Sequence, residues 1–177
     1  MEMAANPSQH TVLLAVGTPT PASLKDASKL PQGSTATGTT PEAHASVTPA
    51  GQDPSQSGYF ETVWETPAGV TQNLVKDSIS FNYDGTYVDS YSGSDYRWWW
   101  SDIGWYEQSH SIGSYFNSNY TSATVWTYDY FCAFGCSTYT KYSDNNVVAH
   151  GNGSVSGYVN TWQDPGDDMN YYSIVNP

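Results

Sequence analysis

The sequence predicts an all-β protein, a single small antiparallel β-sandwich or barrel preceded by a disordered N-terminal extension. Three observations predict it. Beyond residue 59, apolar and polar residues alternate with a period of two in run after run. Turn-forming pairs such as Asp84-Gly85 punctuate those runs at roughly eight- to twelve-residue intervals. No stretch keeps helical spacing for more than two turns.

The boundary between the two parts is set by the aromatic residues. All 27 of them lie from Tyr59 onward. Residues 1–58 hold seven of the ten prolines and are otherwise rich in Ser, Thr, Ala and Gly. Such a segment lacks the apolar surface needed to offset the entropy of ordering a backbone. Residues 59–177 have the size of one ordinary domain.

Within the domain, Tyr59 to Glu65 alternates with Phe60, Thr62 and Trp64 on one face. From Val75 to Tyr83 the odd positions are mostly apolar, Val75, Ile79, Phe81 and Tyr83, and the even ones polar. Asp84-Gly85 then favours a tight hairpin turn into a returning strand, Thr86 to Tyr91. Ala123 to Phe131 places Trp126, Tyr128 and Tyr130 opposite Val125, and Cys132 to Cys136 reads as the turn into Thr138 to Tyr142. Residues 143–146, Ser-Asp-Asn-Asn, read as a turn, followed by a short strand to His150. Gly151-Asn-Gly153 is a bulge or turn, Val155 to Trp162 is a strand, Gln163 to Asn170 is a loop, and Tyr171 to Val175 closes the fold. Eight or nine short strands suit a sandwich or barrel.

Charge excludes one class of partner. The domain carries thirteen acidic residues against Lys76, Arg97 and Lys141, and the whole chain has a formal net charge of −12. Phosphate binding needs clustered Lys and Arg, so nucleic acid is not expected as a partner. Low charge combined with abundant Tyr, Ser, Asn and Gly fits an exported β-protein, and a secreted, extracellular location is expected.

Cys132 and Cys136 are the only cysteines. Structural zinc wants four Cys or His ligands and a thioredoxin-type motif has two intervening residues, so a disulfide is the favoured reading over metal or redox chemistry. It would contribute about 2–3 kcal/mol at most for so short a loop. The only apolar run of the extension contains Val12, Leu13, Leu14 and Val16. It is far too short to span a membrane and no basic stretch precedes it. It reads as the stub of an export signal, as the remnant of a replaced one, or as a short strand or plug that docks on a partner, the candidate N-terminal anchor.

The densest aromatic patch is Tyr96 to Tyr106. On a strand Trp98 and Trp100 face one way and Trp99 the other, so one core cannot bury all three and at least one indole should be exposed. Trp98, Trp99, Trp100, Trp105, Tyr106 and Asp102 therefore form the candidate binding surface. Stacking rings beside carboxylates suit sugars, and Trp, Tyr and Arg equally suit a protein interface.

Candidate catalytic and metal features are weak. Gly153-Ser-Val-Ser-Gly157 matches the spelling of a nucleophile elbow, but a β-pattern follows it and no His lies after His150. Glu61 and Glu65 share a strand face roughly 13 Å apart, too far for glycosidase geometry. His10, His44, His110 and His150 show no metal spacing, and no metal or cofactor is expected. Asp164, Asp167, Asp168 and Asn170 form an oxygen-rich loop whose spacing is not that of an EF-hand; calcium there stays open. Asn119-Tyr-Thr121 and Asn152-Gly-Ser154 fit the glycosylation acceptor pattern.

Asp129-Tyr-Phe-Cys-Ala-Phe-Gly-Cys136, followed by Val147-Val-Ala-His-Gly-Asn-Gly-Ser154, resembles a pattern of small secreted β-proteins of filamentous actinobacteria. Some of those are similar to the adaptor subunits of umbrella toxin particles. The resemblance implies a β-rich body that docks on one partner, a flexible N-terminal extension that engages another, and no catalytic residues. The expectation is thus a noncatalytic secreted adaptor whose partners are other secreted proteins, with a carbohydrate-binding module using exposed Trp and Tyr as the alternative.

Overall fold

In the computed structural model the described residues are 54–163 and 168–177, with the backbone of two short strands, β1 (Ala15–Val16) and β2 (Thr35–Thr39). Eight further strands follow in the domain: β3 (Ser55–Glu65), β4 (Thr71–Tyr83), β5 (Val88–Trp99), β6 (Trp105–Phe116), β7 (Ser122–Ala133), β8 (Thr138–His150), β9 (Val155–Gln163) and β10 (Asn170–Asn176). They form two sheets. Sheet A runs β1-β10-β3-β4-β5-β2 and sheet B runs β6-β7-β8-β9. All pairings are antiparallel except β1 on β10. The chain makes a meander through β3-β4-β5, crosses between the sheets by a single 3-10 turn at Ser101–Ile103, makes a second meander, and returns through β10.

The all-β sandwich follows from the alternation. Phe60, Trp64, Val75, Ile79, Phe81, Val125, Phe131, Val147 and Val159 are buried together between the sheets. β3 begins at Ser55, ahead of the Tyr59 boundary, because Ser55 to Gly58 pair with Ile79 to Asn82 although they carry no aromatic ring. Main-chain pairing needs no apolar side chain, so composition places the edge too late.

β6 was not legible as a strand. Its inward positions include Glu107 and His110, and an irregularity between Glu107 and Ser109 changes the parity of the alternation. The stretch 143–146 is not a turn. β8 runs through it with a bulge between Tyr142 and Asp144, and Asn145 and Asn146 are buried. Asn145 turns inward and bonds across the core, which offsets its weak strand preference. Gly151-Asn-Gly153 is a turn as expected. Gly151 lies so close to the Thr86 backbone that any side chain there would collide, and its N–H donates to the Thr121 carbonyl (2.9 Å).

The N-terminal anchor residues Val12, Leu13 and Leu14 lie outside the described residues, as do His10, His44, Asp164 and Asp167. Val16 is described as backbone only: Ala15 and Val16 pair in parallel with Ile174 and Val175. Ala15 and Val16 thus add a two-residue strand to the chain's own sheet A. β2 pairs with β5 on the opposite edge.

Candidate binding face

The aromatic patch 96–106 is largely consumed by packing. Trp98 turns to the outer face of sheet A, where it closes a small second cluster with Val63 and Leu74 and is 7% exposed. Tyr96, Tyr172 and Trp100 pack around that cluster. Trp99 turns inward, with its ring 5.6 Å from that of Phe131. Trp100 is half-buried and touches both clusters. Trp105 is buried in the main core, and its Nε1 donates to Gln72 Oε1 at 3.0 Å. The expectation that one core cannot take all three consecutive indoles is sound, but the exposed indole does not follow. A second cluster on the other face of the sheet takes up the surplus. Asp102 and Tyr106 are exposed. The Tyr106 hydroxyl lies 3.3 Å from Cys136 Sγ, beside the Cys132–Cys136 disulfide. Near it, Phe134 is 72% exposed at the tip of the β7–β8 hairpin.

The displayed aromatic surface is elsewhere, on the outer face of sheet B. Antiparallel register builds it in rows. Ser109, Tyr130, Lys141 and Trp162 lie side by side across β6-β7-β8-β9, and Gly113, Trp126, Asn146 and Tyr158 form a parallel row. Tyr106, Cys132 and Tyr139 extend the face toward the disulfide, and Tyr115 extends it the other way. Successive outward positions on one strand are about 6.6–7 Å apart, so Trp126, Tyr128 and Tyr130 cover roughly 13 Å of β7.

These rings are held in place. The Trp126 indole lies over Gly113, where any Cβ would collide with it. The Lys141 ammonium sits 4.9 Å from the Trp162 ring centroid and 5.4 Å from that of Tyr128. Tyr130 and Tyr139 meet edge to face at 5.6 Å. Tyr115 and Tyr158, from the two edge strands, share a side-chain hydrogen bond, and burial together with Tyr115 raises the Tyr158 phenol above its ordinary pKa. Both remain nearly half exposed, at 48% and 45%. Beneath this layer Asn146 is 2% exposed, and its Nδ2 has no hydrogen-bond partner. Lys141 and Asp144 are the only ionisable groups other than tyrosine and His150 that the register sets among these rows.

Three carboxylates, Asp77, Asp95 and Asp129, are buried between the sheets. A belt of polar side chains crosses the sandwich. Thr62 donates to Asn145 Oδ1 (2.7 Å), Asn145 Nδ2 donates to Asp77 Oδ2 (3.1 Å), and Thr127 donates to the same carboxyl (3.1 Å). Burial pushes the Asp77 carboxyl well above the usual carboxylate range, against the lowering effect of Asn145. The belt ends at the seam between β5 and β6. There Arg97 pairs with Asp95 (2.9 Å) and Glu107 (2.7 Å), and His110 Nδ1 lies 2.8 Å from Asp129 Oδ1. Burial raises the Asp129 pKa, opposed by His110 and Arg97.

Glu107, His110 and Asp129 each offer a ligand atom within 4.8 Å of the others. The sequence conceals this set because the polar inward residues of β6 and its irregularity between Glu107 and Ser109 break the alternation. Arg97 already supplies a positive charge to the same group, bound to Glu107, so the arrangement reads as an ion-pair network joining the two sheets. The Glu61 carboxyl, also raised by burial, lies on the outer face of sheet A beside Lys76. Ser156 is hydrogen-bonded to His150 Nε2 (2.8 Å) on strand β9, so it is not on an elbow.

Comparison with family models, with curated proteins and with solved structures finds no match. The class is therefore defined by the fold itself: a two-sheet antiparallel β-domain with a short disulfide-tied hairpin. No helix among the described residues is long and apolar enough to cross a membrane, and the intramolecular disulfide fits an extracellular protein.

Proposed function

We propose that this chain is a secreted, noncatalytic adaptor. Its β-domain binds one partner through the outer face of sheet B, and its N-terminal segment engages other secreted proteins, in an extracellular complex of the umbrella-toxin type. The observation that carries the reading is the continuous layer of partly exposed Trp and Tyr on the outer face of sheet B. Tyr, Ser, Gly and Asn with a few Trp is the composition of evolved binding surfaces, where rigid rings give contact area at low entropic cost. The sequence pattern Asp129 to Cys136 and Val147 to Ser154 supports the adaptor assignment, and β7 and β8, which carry it, supply much of the face.

The test is affinity capture from the native secreted mixture with the full chain as bait. Trp162→Ala with Tyr128→Ala is expected to remove one set of partners, and alteration of Val12 to Leu14 another. Capture identical to wild type for the Trp162/Tyr128 variant would refute the assignment of the face.

A further inference from the structure

We infer that the ligand of the sheet B face is a neutral glycan, stacked on Trp162, Tyr128 and Trp126 and hydrogen-bonded by Asn146 and the tyrosine hydroxyls. The inference rests on the reading that this face is the binding surface, and it names the ligand's chemistry.

Charge is the first argument. In a chain of net charge −12, Lys141 and Asp144 leave this face close to neutral. A basic protein partner would be met by displayed carboxylates, and an acidic one by clustered Lys or Arg. Neither is present on these rows. Composition is the second argument. Between the rings lie Ser109, Ser111, Thr124, Asn160 and Ser156, short hydroxyls and amides, with Val148 as the only branched aliphatic residue at the outward-facing positions. A sugar presents an apolar C–H face to a ring and hydroxyls around its edge, which matches rings interleaved with small polar groups.

Asn146 is the third and independent argument. Its Nδ2 is buried in the row between Trp126 and Tyr158 and lacks an acceptor. An unsatisfied buried donor is costly, and an acceptor oxygen brought by a ligand would relieve it. The span of about 13 Å along β7 suits a short oligosaccharide more than a single ring.

The experiment uses the full chain with cellotetraose, chitotetraose, maltotetraose and mannotetraose, read by calorimetry and tryptophan fluorescence. Insoluble cellulose, chitin and starch are sedimented in parallel. At least one glycan is expected to bind, with little change at high salt because no charge is neutralised. Trp162→Ala and Tyr128→Ala should each weaken binding by about tenfold or more. Asn146→Leu should weaken it while leaving the melting temperature equal or higher, since it removes an unsatisfied donor. Binding that ignores all three substitutions overturns the inference, as does absence of binding to every glycan by the folded protein. If glycans fail but a secreted protein is captured and lost with Trp162→Ala, the face stands and its ligand is a protein. If neither ligand depends on the face, both readings fall.

Discussion

Two aromatic regions of this domain look alike in the sequence and are used in opposite ways. The segment around Trp98–Trp105 has the higher density of indoles, yet its rings are spent on two cores, one between the sheets and one outside sheet A. The outer face of sheet B collects its rings from four strands and shows them. Local density therefore says little about display. Rings adjacent in sequence alternate between faces, whereas rings spread over neighbouring strands at matched register accumulate on one.

The largest expected effect separates the two regions directly. Trp98→Ala empties the second cluster and should cost about 3–5 kcal/mol of stability. Denaturant unfolding checks it, and a loss below about 1 kcal/mol would mean that the indole is displayed after all. Removal of the disulfide by Cys132→Ala with Cys136→Ala should cost about 2 kcal/mol, the loop-entropy value for so short a closure. It should leave the central rows of the face unmoved, so ligand affinity would change little while the midpoint falls.

The next effect concerns the carboxylates kept off the face. Asp77 has a folded pKa raised by burial, so its contribution to stability is complete below the ordinary carboxylate pKa and is lost as pH rises toward the folded value. Asp129 acts in the same direction. Wild-type unfolding midpoints should therefore decline as pH rises from acid toward neutral, and Asp77→Asn should flatten that decline. An unchanged slope in Asp77→Asn would show that the buried carboxyl is not the cause. The smallest stability effect belongs to the displayed rings: Trp162→Ala should shift stability by no more than about 0.5–1 kcal/mol. Its large consequence should be on binding, the reverse of Trp98→Ala.

Much of the fold was legible because period-two alternation survives wherever the inward residues are apolar. Phe60, Thr62 and Trp64 share a face as the sequence implied, and so do Trp126, Tyr128 and Tyr130. The strand β6 and the middle of β8 were illegible for one reason: their inward residues Glu107, His110 and Asn145 are polar, and a bulge shifts parity beside each. Those residues are satisfied by partners on other strands, Arg97 for Glu107 and, far along the chain, Thr62 and Asp77 for Asn145.

The amino-acid sequence by itself determined the class, an all-β domain with a disulfide-tied hairpin, because alternation, turn pairs and the cysteine count act locally. Only the tertiary structure decided which rings are hidden and which are shown. That choice depends on strand order and register, which set Tyr130, Lys141 and Trp162 in one row and leave Asn146 without an acceptor beneath it. No local pattern encodes such a row, since its members are separated by turns and bulges and meet only when the sheet closes.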